Sequence, residues 1–374
     1  MTTIFRIRTK VLFALTLAFV VFSGVNAHAE SWRFGVMADT QWAAPDDGNN
    51  PNTVSVGIIE QVNREFIRAG VKFVIQLGDL ADVYSESAMD TRASAARALS
   101  AHGIGFFPLR GNHDDPRPPA DQAAAAQYFR KVFPQTRGAG PHLFGARNFS
   151  SPQEALSGLS YSFDFDNCRF ILLDQFTATD GSRNSIAGQQ SWISNSLYSR
   201  PAGGHVFVFG HRNLIGQSHK GTLFGRNPSE DPEAQNAFIG SLHFYGARYF
   251  ISGHDHIHNR SLIKSPDGLS KVQQIICASN SSKFYIPANP TPDREYNNPP
   301  RETPLSQEMN TIGYYIFTVD GPQVSVEFHS AVVNPSFDAQ KKTYVLRQTP
   351  DLRFRLRETF GYHTGMTQTG QAAR

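Results

Sequence analysis

The sequence predicts an α/β protein built on a mostly parallel sheet. Short apolar runs alternate with stretches of helical periodicity, the pattern of right-handed βαβ units. Five of those runs end in segments of Asp, Asn, Gln and His: Asp39-Thr40-Gln41, Gly78-Asp79-Leu80-Ala81-Asp82, Gly111-Asn112-His113-Asp114, Gly210-His211 and Gly253-His254-Asp255-His256. Ligands gather beyond the carboxyl ends of such strands, so the second observation also locates a site.

Each element has its own signal. Trp32 to Ala38 is a short, mostly apolar strand. Thr53 reads as the N-cap of a helix in which Ile59, Val62, Phe66 and Ala69 recur at helical spacing, with Gly70 at C′. Lys72 to Leu77 is a buried strand feeding Gly78-Asp79. Ala88 to His102 is Ala-rich and helical, stopped by Gly103, and Gly105 to Leu109 is a third strand. Ser160 to Phe165 and Arg169 to Leu173 form a hairpin turned at Asp166-Asn167. Ile186 to Leu197 is a helix, His205 to Phe209 a strand, Pro232 to Gly246 a helix and Tyr249 to Ser252 a strand. Val272 to Cys277 is another strand. Ile312 to Val319 and Gln323 to Phe328 are strands joined by Asp320-Gly321-Pro322, a strong hairpin signal. Two stretches, Pro134 to Leu156 and Ser281 to Asn310, lack periodicity and read as functional rims or mobile loops. The pattern from Tyr344 onward assigns no element.

Residues 1–29 read as a cleaved export signal. Arg6, Arg8 and Lys10 precede the apolar run Val11 to Val25, and Ala27-His28-Ala29 offers small residues at −3 and −1. The run is short of the roughly 20 residues a spanning helix needs, so an exported chain (periplasmic or secreted) with no stable membrane span is expected. Residues 30–374 read as a single domain, with a core of about 31–330. Removing the leader's three cations from 35 Lys and Arg leaves 32, matching the 32 Asp and Glu. That balance gives no signal for nucleic-acid binding, and oligomeric state has no signature. Cys168 and Cys277 sit in separate strands, and spacing alone does not decide whether they bond.

A phosphate ester repels nucleophiles until its charge is neutralised, and two cations a few ångströms apart do this while acidifying a bridging water. Such a pair needs one carboxylate to bridge it and mostly neutral ligands around it. Asp79 is the natural bridge. Asp39, His256 and Gln41 complete one shell; Asn112, His211 and His254 complete the other. Nitrogen and oxygen donors without thiolate suit Mn, Fe or Zn. His113 cannot easily share the ion of Asn112, and is placed to donate to a phosphoryl group or leaving oxygen. Asp82 is the candidate to accept from its other ring nitrogen. Arg212 and His258 are candidate substrate contacts, each set against an ordinary structural role. For Arg110 and Arg117, ion pairing is the better reading.

These five segments, in this order, resemble the calcineurin-like metallophosphoesterase superfamily. The resemblance covers Asp39 to His256 by motif. It implies a four-layer α/β/β/α sandwich of two mixed sheets flanked by helices, with a dinuclear site at its edge. It also implies hydrolysis of a small phosphate-ester substrate by a hydroxide bridging the two metal ions; monoester and diester substrates are both open. One departure stands out: many relatives carry His where this chain has Gln41, whose amide oxygen either ligates directly or holds a metal-bound water. A non-catalytic scaffold of the same fold is the alternative, disfavoured because no ligand has been lost.

Overall fold

The computed structural model describes residues 30–41, 54–116, 121–364 and 369–372. The leader at 1–29, Thr53 and Arg117 lie outside them. Strand alternation divides the apolar residues among three cores, because successive side chains point to opposite faces. In Phe73–Leu77, Phe73, Ile75 and Leu77 face one core while Val74 faces another. In Cys168–Leu173, Phe170 and Leu172 join that same first core, whereas Ile171 and Leu173 join a third. The shared core lies between two sheets, and the other two lie under helices. This is the expected four-layer order.

One sheet runs Thr369–Ala372, Arg355–His363, Gln323–Val332, Thr311–Asp320, Trp32–Met37, Phe73–Leu77, Gly105–Leu109. Its last three strands are parallel and its remaining pairings antiparallel. The second runs Glu302–Glu308, His258–Lys264, Lys271–Ile276, Tyr249–Ser252, Val206–Gly210, Cys168–Leu173, Tyr161–Phe165, Arg147–Ser150. Its parallel centre extends from Lys271–Ile276 to Cys168–Leu173. Val54–Ala69, Glu86–Ser100 and Gln122–Val132 cover the first sheet; Ile186–Tyr198 and Pro232–Phe244 cover the second. Phenylalanine fills the space between them: Phe34 stacks on Phe317 with centroids 4.7 Å apart, and Phe163 on Phe170 at 5.0 Å. Cys168 and Cys277 are buried there as free thiols.

The stretch expected to be irregular, 281–310, contains the edge strand Glu302–Glu308. Pro304 hid it, since proline is tolerated at an edge beside a register shift of the kind seen between Pro304 and Ser306. The residues past Tyr344, unassigned by pattern, include Arg355–His363, which extends the first sheet.

From that strand Glu358 reaches the opposite sheet. It accepts hydrogen bonds from both Nε and Nη2 of Arg260, and lies 3.1 Å from His258 Nε2. His258 Nδ1 lies 2.8 Å from the Tyr315 hydroxyl, and its ring stacks on Phe328 at 4.0 Å. The expectation that His258 contacts substrate is therefore corrected. Both its ring nitrogens are engaged in a buried cluster that joins the two sheets.

Burial pushes the Glu358 carboxyl up, but the hydrogen bonds from His258 and Arg260 outweigh it and hold the group down at about 2. Its folded value is thus below its ordinary one, so its stabilisation is present in full above about pH 4.5 and fades as pH falls toward 2. Breaking a buried pair costs about 3–5 kcal/mol. Glu358→Gln should therefore lower stability at pH 7 by a few kcal/mol, about 3. In urea titrations the difference from wild type should shrink across that acidic window; a pH-independent difference would contradict the assignment.

Candidate metal centre

Five strand ends deliver the polar segments to one crevice between the sheets. Asp39 follows Trp32–Met37, Asp79 follows Phe73–Leu77, Asn112 follows Gly105–Leu109, His211 follows Val206–Gly210 and His254 follows Tyr249–Ser252. Two groups of buried ligand atoms converge there: Asp79 with His211 and His254, and Asp39 with Asp79 and His256, the atoms of each within 4.8 Å of one another. Asp79 belongs to both, the place expected of a bridge.

The backbone is bent to achieve this. Asp39, Asp79, His254 and His256 have φ of 47°, 48°, 75° and 55°, a region that costs a non-glycine residue roughly 1–3 kcal/mol. Two glycines give the carboxylates room. A Cβ on Gly111 would lie 2.0 Å from Asp79 Oδ1, and one on Gly253 would lie 2.7 Å from Asp39 Oδ2.

Hydrogen bonds then fix which atoms face inward. His211 Nδ1 donates to the Leu77 carbonyl (2.9 Å) and His256 Nδ1 to the Lys283 carbonyl (2.8 Å). A carbonyl only accepts, so both rings present Nε2 as a lone pair. Burial drives all three imidazoles toward the neutral form: His211 is lowered, His256 is pushed down to about 3, and His254 falls well below its ordinary value, helped by neighbouring His219 and His211. Asp39 is raised well above the carboxylate range by burial and then by Asp79. Burial also pushes Asp79 up, but His211, His113 and the His113 N–H overcome it and hold that group low.

These groups fit a pair of cations. His211 Nε2 lies 3.0 Å from Asn112 Oδ1 and 3.3 Å from Asp79 Oδ1. With the ring proton on Nδ1, three acceptors face one another with no donor between them. Gln41 adds a fourth acceptor. Its Nε2 donates to Asp82 Oδ1 at 3.1 Å, while its Oε1 is buried with no hydrogen-bond partner. An orphaned buried carbonyl costs about 1–3 kcal/mol unless something binds it, and a cation or its water would.

His113 stands beside this group. Its N–H donates to Asp79 Oδ1 at 2.9 Å and its ring is half-buried. The expected pairing with Asp82 needs correction in detail. His113 Nδ1 lies 2.5 Å from the Asp82 main-chain carbonyl, whereas the carboxylate is 3.6 Å away and is bound to Lys283 and Gln41. Arg212 stays near: its guanidinium lies 5.7 Å from the Phe176 ring, and its charge acts on His211 and His254. Arg110 is buried in a two-bond ion pair with Asp174.

Several residues that shape the site escaped sequence reasoning. Asp114, its carboxyl pushed up to about 7 by burial and then by Asp79, accepts from the amides of Gly111, Leu80 and Ala81 at 2.8, 3.1 and 3.2 Å. It ties the second and third segments together. Asp255 likewise accepts from the amides of Gln217, Ser218 and His219 and from the His219 ring. It thereby brings the ring of His219 to 4.5 Å from that of His254, centroid to centroid. Tyr285 closes that side, 4.6 Å from the ring of His219 and 4.9 Å from that of His256. Asp114 and Asp255 were legible in principle, the first two places after Asn112 and the second between His254 and His256. His219 and Tyr285 arrive on loops without periodicity.

With this geometry in view, the sequence matches the calcineurin-like phosphoesterase family over residues 33–258. The chain belongs to the calcineurin-like phosphoesterase family. No curated protein matches the sequence. Among solved structures it is similar to PhoD, at 14% identity and a TM-score of 0.57, covering 93% of this chain and 73% of that one. It is also similar to a purple acid phosphatase from yellow lupin (Lupinus luteus) seeds, at 15% identity and a TM-score of 0.51, covering 80% of this chain and about half (51%) of that one. At such identities the likeness is one of fold.

Replacing the shared carboxylate tests the centre. Asp79→Ala should bind neither ion tightly, so elemental analysis after metal loading and desalting should read close to zero. Gly111→Ala should lower metal content too, because its Cβ displaces the same carboxylate. Full loading of Asp79→Ala would contradict the bridging role.

Proposed function

We propose that the chain is an exported phosphoesterase that hydrolyses a small phosphate ester with two metal ions. The reading is carried by the two ligand groups that share Asp79, in a crevice of inward-facing acceptors. Asp39, Asp79, His256 and Gln41 would hold one ion, and Asp79, Asn112, His211 and His254 the other. When bound, such a pair neutralises phosphoryl charge and lowers the pKa of water enough to supply a nucleophile at neutral pH. Donors of this kind suit Mn, Fe or Zn.

The chain's own residues then do the remaining work. His113 Nδ1 faces a carbonyl, which can only accept, so that nitrogen keeps its proton. Nε2 is left to exchange the second proton, and in the charged ring it donates to the leaving oxygen. Arg212 adds positive charge on the His211–His254 side, suited to an anionic substrate. Asp114 and Asp255 hold the loops in register, so the ligands need little rearrangement when substrate arrives.

Export rests on the leader pattern at residues 1–29. No helix among the described residues is long and apolar enough to cross a membrane.

Parallel assays on mono- and bis-(p-nitrophenyl) phosphate, after reconstitution with Mn, Fe or Zn, test the activity and read the ester class from the ratio. Turnover of one ester should vanish with a chelator and return with metal; no turnover of either with any metal would end the proposal. His113→Ala should keep both ions yet lose about 10²–10⁴ in kcat, and loss of metal in that variant would count against a proton-transfer role. N-terminal sequencing of the exported chain should begin at Glu30.

A further inference from the structure

A buried ammonium group lies beside the centre and ligates nothing. Lys283 is 7% exposed, on the short strand Lys283–Phe284 that pairs with Thr343–Val345. Its carbonyl accepts from His256 Nδ1 at 2.8 Å and from the Ser279 hydroxyl at 3.0 Å. Its amide donates to Ser281 Oγ at 2.8 Å. Its ammonium is bound to Asp82 Oδ1. That same carboxylate oxygen accepts from Gln41 Nε2, and the Asp82 carbonyl meets His113 Nδ1. Lys283 therefore touches a metal ligand through its main chain. Through one ion pair it also reaches both the first segment and the proton donor.

We propose that Lys283 is a positioning residue: its ammonium fixes Asp82, and Asp82 fixes the ring of His113. The role of His113 in it rests on the phosphoesterase reading above. Asp82 is half-buried, and its carboxylate can stay there only with a compensating cation. Without Lys283 it would turn toward solvent or toward His113 Nδ1, already 3.6 Å away. Either movement shifts the carbonyl of the same residue and releases the ring it orients. A proton donor loses effect steeply when its geometry loosens. Metal binding should survive, because no ligand atom is removed and the Lys283 carbonyl remains for His256.

The test compares wild type, Lys283→Met and Lys283→Arg as full-length, metal-loaded proteins. Substrates are phenyl and p-nitrophenyl esters of whichever class, mono or di, the wild type turns over. Phenolate is the poorer leaving group and needs the proton more. Lys283→Met should keep both ions and a near-normal KM, and lose on the order of 10- to 100-fold in kcat on the phenyl ester. Its loss on the p-nitrophenyl ester should be distinctly smaller, and Lys283→Arg should recover most of the difference. Equal losses on both esters, or a missing ion, would overturn the role.

Nitrogen-15 chemical shifts of the His113 ring give a readout independent of turnover. The wild type should show one tautomer with the proton on Nδ1, and Lys283→Met a mixture; an unchanged ring would also overturn the proposal. If the single variant does not fold, Lys283→Met with Asp82→Asn removes the stranded charge and should show the same tautomer mixture. If the wild type hydrolyses no ester, the phosphoesterase reading has failed, while the ring measurement still decides what Lys283 does.

Discussion

Everything at the centre follows from burying hydrogen-bond acceptors that have no donors. Two carboxylates, three neutral imidazoles and two amide oxygens are brought to one crevice. Each would cost free energy there if left alone. For four of these groups the protein satisfies the outer side with its own backbone and leaves the inner side bare. Leu77 and Lys283 carbonyls hold imidazole N–H groups outward, and the amides of His254 and His113 steady Asp39 and Asp79. A crevice arranged this way is completed only by positive charge. The strained φ values of four ligands are tolerable because two packed sheets hold the strand ends on either side.

Much of this was legible in the sequence because the fold and the chemistry use the same punctuation. Each ligand closes an apolar strand, so one pattern gave both the strand and its reactive end. The helix over Val54–Ala69 and the strand Tyr249–Ser252 lie where periodicity placed them. Less legible were features that depend on the third dimension. Nothing in His258-Asn259-Arg260 announces that Glu358, about a hundred residues later, will meet two of the three. Alternation pointed His258 toward the cleft, and a partner from the other sheet captured it. Asp82 shows a subtler limit: the residue was found, but its carbonyl rather than its carboxylate meets His113.

The part of the chain beyond the family match adds more than a tail. The match ends at residue 258, yet Lys283 and Tyr285 border the metal ligands and Glu358 joins the sheets. Lys283–Phe284, Thr343–Val345 and Ser336–Asp338 form a small sheet of their own beside the centre. The motif-bearing region therefore supplies the ligands, while later residues set how firmly they are held.

The contacts joining the ligands also span great lengths of chain. The His254 amide meets Asp39 across 215 residues, and the His211 ring meets the Leu77 carbonyl across 134. Closing such distances is slow and comes late in folding. A nascent chain that has not yet reached His256 offers scattered side chains and no chelate. An ion held by all of these groups would then be captured after the sheets are complete. Intrinsic affinity discriminates poorly among divalent ions, so the ion pool around the molecule when it finishes folding becomes a determinant of which cations it keeps. Cellular geography would write part of this protein's inorganic chemistry.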